Sequence, residues 1–345
     1  MSVAINGTNG ITYNDGSVQP SAPVGRNRII NGNMAIDQRN GGSAFTITGD
    51  DDYVLDRWVG RTFSGAGRFS MQKVADAPSG FAYSNKITVT TTATSGAGGY
   101  GLEQRIEGNN LTMLNWGTAN AQPLTASFWI KASVVGTYSC SLRTSTHGVS
   151  GISHCVNTFT ISTANTWQKV TQTFPANTAY DTVINDLTGI YLDINFGAQT
   201  AKTTSTLNTW ALGNFLYATG QTDVMQTSGA TINITGVQLE VGTTATPFEN
   251  LQYTTQIQLC QRYYQVASAS GRSYTGDGNW GLQYVHKVDM RTSPTIGTIS
   301  GGNNDLPSNF QGSVVTNTFQ TGVQWAGAVG TYYTYGSRLP LNAEL

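Results

Sequence analysis

From Gly25 to about Glu249 the chain is a succession of strand-length segments with alternating side chains, each cut short by a Gly, Asn or Ser-Thr turn. Leu124–Ala132 (LTASFWIKA) shows the pattern best. Leu124, Ala126, Phe128 and Ile130 share one face, and Thr125, Ser127, Trp129 and Lys131 share the other. Further strands are expected at 53–62, 67–73, 84–92, 102–106, 138–144, 157–161, Gln168–Phe174, 189–196 and Thr231–Val241, with 27–34 (NRIINGNM) as a strand running into a turn. Spacing of about 8–20 residues between segments argues for an all-β chain built on a jelly-roll β-sandwich. One stretch departs from it. Residues 253–265 (YTTQIQLCQRYYQ) contain no Gly or Pro, and Ile257, Cys260, Gln261 and Tyr264 follow helical spacing, so a short helix capped by Thr254 or Thr255 is expected there. Strands resume after Val266, at 281–290, 295–299, 313–318, 322–328 and 331–335, as a smaller C-terminal β-sandwich.

This organisation predicts three parts. Residues 1–24 form an extended arm punctuated by Asn6-Gly7, Asn9-Gly10 and Asn14-Asp15-Gly16 and closed by Pro20 and Pro23. Residues 25–250 form the jelly roll, and 251–345 the small β-domain. An arm so poor in apolar surface cannot fold alone, and is expected to pack on a neighbouring subunit or partner.

Composition excludes several functions. Only 11% of residues are charged, less than half the usual ~25%. Eighteen basic against nineteen acidic residues leave a net charge of -1, so the basic footprint of a nucleic-acid binder is missing. A hydrophobic share of 39% and an aromatic share of 10% supply a core and argue against disorder. No apolar run is long enough to insert into a membrane, and no secretory signal is visible at the N-terminus. Cys140, Cys155 and Cys260 form no CxxC pair and leave an odd thiol, so buried free thiols are expected.

Chemical motifs are scarce. His147, His154 and His286 match no zinc spacing, and the sequence contains no GxSxG, HExxH or GxxxxGK[ST]. Asp50, Asp51 and Asp52 form the only acidic run, a candidate for a hard cation but more simply a solvated turn. Asp56 and Arg57 are expected on opposite faces of a strand. Glu103, Glu107, Asp181, Asp186, Asp193 and Glu240 cannot be paired from sequence, and nothing positive supports a glycosidase, which needs two carboxylates flanking a bond. Aromatics in polar strands are more suggestive, because sugars lay their apolar faces on Trp and Tyr rings. Trp129, Trp280, Trp325 and Tyr333 are the candidates for carbohydrate binding; the competing role is that of a structural anchor.

Several motifs, taken in order, resemble a family of virion proteins of tailed bacteriophages. GITYNDGSVQ (10–19) is similar to the "GITFxDGTxQ" segment that precedes terminal modules of phage fibres. NRIINGNMAIDQRN (27–40) with YVLDRW (53–58) resembles the "NxLINGdFxIwQRG … YtaDRW" start of their carbohydrate-binding-module-like jelly rolls. FWIKA (128–132), WQKV (167–170) and ITGVQLEVG (234–242) resemble later strands of that module, and TPFE (246–249) with LCQRYYQ (259–265) resembles its exit into a terminal domain that carries MRTSPT (290–295) and NAEL (342–345). The resemblance implies a non-enzymatic component of the virion, a tail fibre, tail appendage or head fibre acting in host attachment. It implies a homotrimer, contact with other virion proteins through residues 1–24, and display of a module for host-surface glycan. A purely structural capsid or tail decoration protein is the alternative, and a glycan depolymerase the third. Modules of this type often hold a structural calcium through an Asp just before the last strand's V-x-L. That position is Gly236 here, so no cofactor is expected.

Overall fold

The computed structural model describes residues 4–6, 10–12, 18–19, 25–145, 151–272, 279–296, 314–316, 320–326 and 332–345, with side chains at 25–145, 151–267, 284–296, 320 and 340–345. They fall into two compact units, residues 1–35 with 42–251, and residues 36–41 with 252–345. With strands numbered along the chain, β1 (Ala4–Asn6), β2 (Gly10–Thr12) and β3 (Val18–Gln19) form a small antiparallel sheet within the first unit.

The rest of the first unit is a β-sandwich. One sheet has the order β13 (Gln168–Phe174), β10 (Leu124–Ala132), β18 (Thr231–Val241), β8 (Ser84–Thr91), β7 (Arg68–Val74), β4 (Phe45–Thr46). The other has the order β16 (Ala211–Leu212), β12 (Ser153–Ile161), β11 (Gly136–Thr144), β14 (Thr188–Asn195), β9 (Gly99–Glu107), β6 (Val59–Phe63), β5 (Asp52–Tyr53). Successive strands keep crossing from one sheet to the other, which is the jelly-roll arrangement. A short parallel pair, β15 (Thr203–Thr204) with β17 (Tyr217–Ala218), lies in the long connection before β18. Between the sheets lies one apolar core. Leu124, Ala126, Phe128 and Ile130 from β10 share it with Leu102, Ile106, Cys140, Leu142, Ile190 and Leu192. All three cysteines are free and buried, and burial pushes the Cys155 thiol up to about 12.

Two expected strands differ. Residues 27–34 join no ladder: two isolated backbone bonds, Arg28 N to Leu239 O at 2.8 Å and Val237 N to Gly32 O at 2.9 Å, tie them to β18, and the Asn27 Oδ1 accepts from Ile29 N at 2.9 Å and Leu239 N at 3.0 Å. Residues 53–62 break into the hairpin β5–β6, with Arg57 at φ 70° in the turn. Asp56 and Arg57 therefore do not alternate across a strand; both are buried in that turn. The Asn31 side-chain amide donates to Asp56 O at 3.0 Å, and the Trp58 indole donates to Asn31 O at 3.0 Å. Gly236 sits at φ 63° where β18 slips register against β10 between Ser127 and Trp129. A Cβ there would lie 2.6 Å from the Phe81 ring, so this β-bulge needs glycine.

In the second unit the helix α1 (Tyr253–Gln261) is shorter than the spacing predicts, because Tyr264 already belongs to a strand. Its N-cap is Gln252, with no side-chain cap; Thr254 and Thr255 lie inside the first turn. Two three-stranded antiparallel sheets follow, β19 (Tyr264–Arg272), β24 (Tyr332–Asn342), β21 (Thr295–Ile296), and β20 (Asn279–Val285), β23 (Gln320–Ala326), β22 (Val314–Thr316). Ala267, Met290, Leu341 and Ala343 form a small core. The segment 36–41 belongs to this unit: Gln38 donates to Tyr264 O at 3.0 Å, and the Arg39 guanidinium lies 3.6 Å over the Tyr264 ring and pairs with Glu344 at 2.8 Å. No helix among the described residues is long and apolar enough to cross a membrane.

Candidate functional site

The seven-stranded sheet turns its apolar side chains to the core and an unusual set to its outer face. Register places Arg143, Tyr191 and Arg105 side by side, then Ser141, Asp193, Glu103 and Val59, then Ser139, Asn195, Gly101 and Arg61. Directly paired residues project to the same face, so three arginines and two carboxylates from four strands meet there. Arg143 grips Asp193 with two bonds, Nε to Oδ2 at 2.8 Å and Nη2 to Oδ1 at 3.0 Å, and reaches Glu103 at 2.6 Å. Arg61 also donates to Glu103 and lies 3.4 Å from Asp193. Arg105 donates from Nε to Glu103 at 2.8 Å and from Nη2 to Asp51.

Part of this face is covered. The connection after β14 returns over it, with Leu216 O accepting from Ser139 Oγ at 3.0 Å and Asn195 Nδ2 at 2.8 Å. Asn214 Oδ1 accepts from Arg143 at 3.2 Å, and Gly213 O pairs with the His154 ring at 3.0 Å. Glu103 is 0% exposed and Asp193 1%. Burial alone would raise the Glu103 carboxyl, but the guanidiniums of Arg61, Arg143 and Arg105 outweigh it and hold the group at about 2. Asp193 is pushed up instead, by burial and by the Glu103 charge, against the pull of Arg143. Burial lowers His154, which stacks edge-on to Phe215 at 5.0 Å.

The side of the face toward β5 is partly open. Tyr53, Phe63 and Arg105, with Tyr191 of β14 beside them, are half-buried there, while Val59 and Arg61 between them are buried. The Arg105 guanidinium carbon lies 6.0 Å from the Tyr53 ring centre and 5.9 Å from Tyr191; Arg143 lies 4.5 Å over Tyr191, and Arg61 4.1 Å over Phe63. Such an arrangement presents flat apolar rings beside a guanidinium whose plane is set by a buried carboxylate. It suits a ligand with both an apolar face and hydrogen-bonding groups.

The candidates read from sequence lie elsewhere. Trp129 is half-buried on the outer face of the six-stranded sheet, opposite Lys169 and Thr235. Trp280 and Trp325 are register partners in the second unit, and Tyr333 pairs with Gly271 there; their side chains, like His147, lie outside the described residues. Asp50, Asp51 and Asp52 do not converge on a cation. Asp52 accepts from Thr48 N at 2.6 Å and Gly49 N at 3.0 Å, while Asp51 turns to Arg105. Among the described residues no three His, Cys, Asp or Glu side chains could hold a metal ion. The signal overlooked in the sequence was positional. In a chain so poor in charge, Arg61, Glu103, Arg105, Arg143 and Asp193 all fall inside expected strands rather than turns.

No family model matches this chain, and no curated protein matches it. Solved structures with a similar arrangement include a candidate sugar-binding protein from Bacteroides thetaiotaomicron, at TM-score 0.38 and 16% identity over 63% of this chain and 100% of that one. A family 11 carbohydrate-binding module of a Clostridium thermocellum cellulase is similar at TM-score 0.30 and 14% identity, over 60% of this chain and 99% of that one. The enzymatically active domain of a tailspike protein of bacteriophage CBA120 is similar at TM-score 0.32 and 12% identity, over 63% of this chain but 22% of that one.

Proposed function

We propose that this protein binds glycan through the open side of its seven-stranded sheet and acts as a virion component in host attachment. The observation that carries the binding reading is Arg105, held by buried Glu103 between the half-buried rings of Tyr53 and Tyr191. A pyranose can lie on such a ring while a positioned guanidinium donates to its hydroxyls, the usual mix of apolar contact and few polar groups in a ligand site. Binding is favoured over hydrolysis because Glu103 and Asp193 are each engaged by arginines and sealed from solvent, where neither can reach a glycosidic bond. Trp129, on the other sheet, serves as a packing residue in this reading.

The virion role rests on the ordered set of sequence motifs and on the neutral surface of the chain. Residues 1–24 would anchor it to other virion proteins, and assembly as a homotrimer would sum weak glycan contacts over three copies. Array binding of the purified full chain to host-surface glycans tests the proposal, with light scattering on the same sample to count subunits. Tyr191→Ala should abolish the glycan signal and Trp129→Ala should leave it intact. Loss of signal in Trp129→Ala with Tyr191→Ala unaffected would move the site to the other sheet. A sample that binds nothing at high valency would favour a purely structural decoration protein.

A further inference from the structure

We propose that this sheet face selects a glycan bearing a carboxylate on its pyranose ring, that Arg105 is the group that reads this carboxylate, and that the Asp51 side chain occupies Arg105 as an internal stand-in until the ligand displaces it. This rests on the reading of the open sheet face as a glycan site and names the class of sugar it takes.

Charge balance is the first support. Arg61, Arg105 and Arg143 set three positive charges against the two negative charges of Glu103 and Asp193. Asp51 supplies the third carboxylate, and it is unlike the other two. Its side chain is 68% exposed, whereas those of Glu103 and Asp193 are 0% and 2% exposed. Two of the three carboxylates are thus built into the sheet, while the third reaches in from the turn before β5.

Geometry is the second support. Glu103 accepts from Arg105 Nε at 2.8 Å and so fixes the guanidinium plane, leaving the Nη2 edge directed at Asp51. A guanidinium edge so held is suited to a planar carboxylate, and a ring carboxylate could meet it while the sugar lies against Tyr53 or Tyr191. Exchange is cheap on the protein side, because an ion pair with one exposed partner contributes little to stability. One Arg–carboxylate contact breaks, one forms, and the charge around Arg105 is unchanged.

Calorimetric titration of the full chain tests this with three probes: an oligosaccharide containing glucuronate, the same oligosaccharide with its carboxyl reduced to the alcohol, and sialyllactose. Wild type should bind at least one acidic probe about tenfold more tightly than the reduced one, the scale of one charge-assisted contact. Asp51→Asn should tighten the acidic probe several-fold and leave the reduced one unchanged. Arg105→Lys, checked for folding by its thermal transition, should erase the preference for the acidic probe over the reduced one. Equal affinity for acidic and reduced probes, unchanged in Asp51→Asn, would overturn the acidic selectivity and leave glycan binding standing. Absence of binding to all three probes in wild type and Asp51→Asn would overturn both. A preference for sialyllactose over glucuronate would keep the proposal and identify the carboxylate's source.

Discussion

The outer faces of the two sheets carry charge in opposite ways. On the six-stranded sheet Lys131 pairs with Asp76, whose side chain is 49% exposed, and lies 5.3 Å over the Trp167 ring. On the seven-stranded sheet Arg61, Arg143, Glu103 and Asp193 are paired out of water. Water screens the first pair and makes it nearly dispensable. The second set has given up its hydration, so each member depends on the others being present. The same residue chemistry is thus decorative on one face and structural on the other, and the difference is the strand connection that returns over the second face.

This contrast can be broken at its strongest point. Glu103→Gln leaves Asp193 as the one buried carboxylate facing Arg61 and Arg143 and should cost about 3–5 kcal/mol in denaturant unfolding. A loss under 1 kcal/mol would mean that the face is wetter than its burial indicates. Acid probes the same carboxylate more gently. Because Glu103 is held at about 2, below an unfolded carboxylate near 4.3, its contribution is present above pH 4.3 and is lost as pH falls through 2. Asp193, shifted upward, works in the opposite sense and offsets part of that loss. The Glu103 contribution should therefore fall by about 3 kcal/mol or less between pH 5 and pH 2, and the Glu103→Gln variant should lose less stability in acid than wild type. A larger acid response in the variant than in wild type would contradict the assignment. Lys131→Ala is the small end of the scale, at about 1 kcal/mol or less. A cost there equal to that of Glu103→Gln would erase the distinction between the faces.

Much of the fold was legible because strand periodicity and burial are local facts. The apolar face of LTASFWIKA is the face that enters the core. Residues 27–34 have a strand-like pattern but form no ladder, because a side-chain amide takes up Leu239 N beside two isolated backbone bonds to β18, which no periodicity reveals. The motifs behind the phage resemblance are largely contact points that close the fold. Asn31-Gly32 meets Asp56-Arg57-Trp58 on one side, and on the other approaches Val237, whose carbonyl oxygen would lie 2.1 Å from a Cβ at Gly32. Glu249 accepts from Asn27 N at 2.9 Å, and Arg39 joins Tyr264 to Glu344. Such residues signal architecture, and the candidate site uses almost none of them.

Alternation of apolar and polar residues, turn dipeptides and scarcity of charge were enough to determine an all-β sandwich with a short helix after it, since each acts over a few residues. The site was decided by tertiary structure alone. Arg61 and Asp193 stand 132 residues apart, and only the strand order β11-β14-β9-β6 and its register bring them to one face. Whether a charge in a strand meets water or an opposite charge depends on what covers the sheet, and that is a property of the assembled chain.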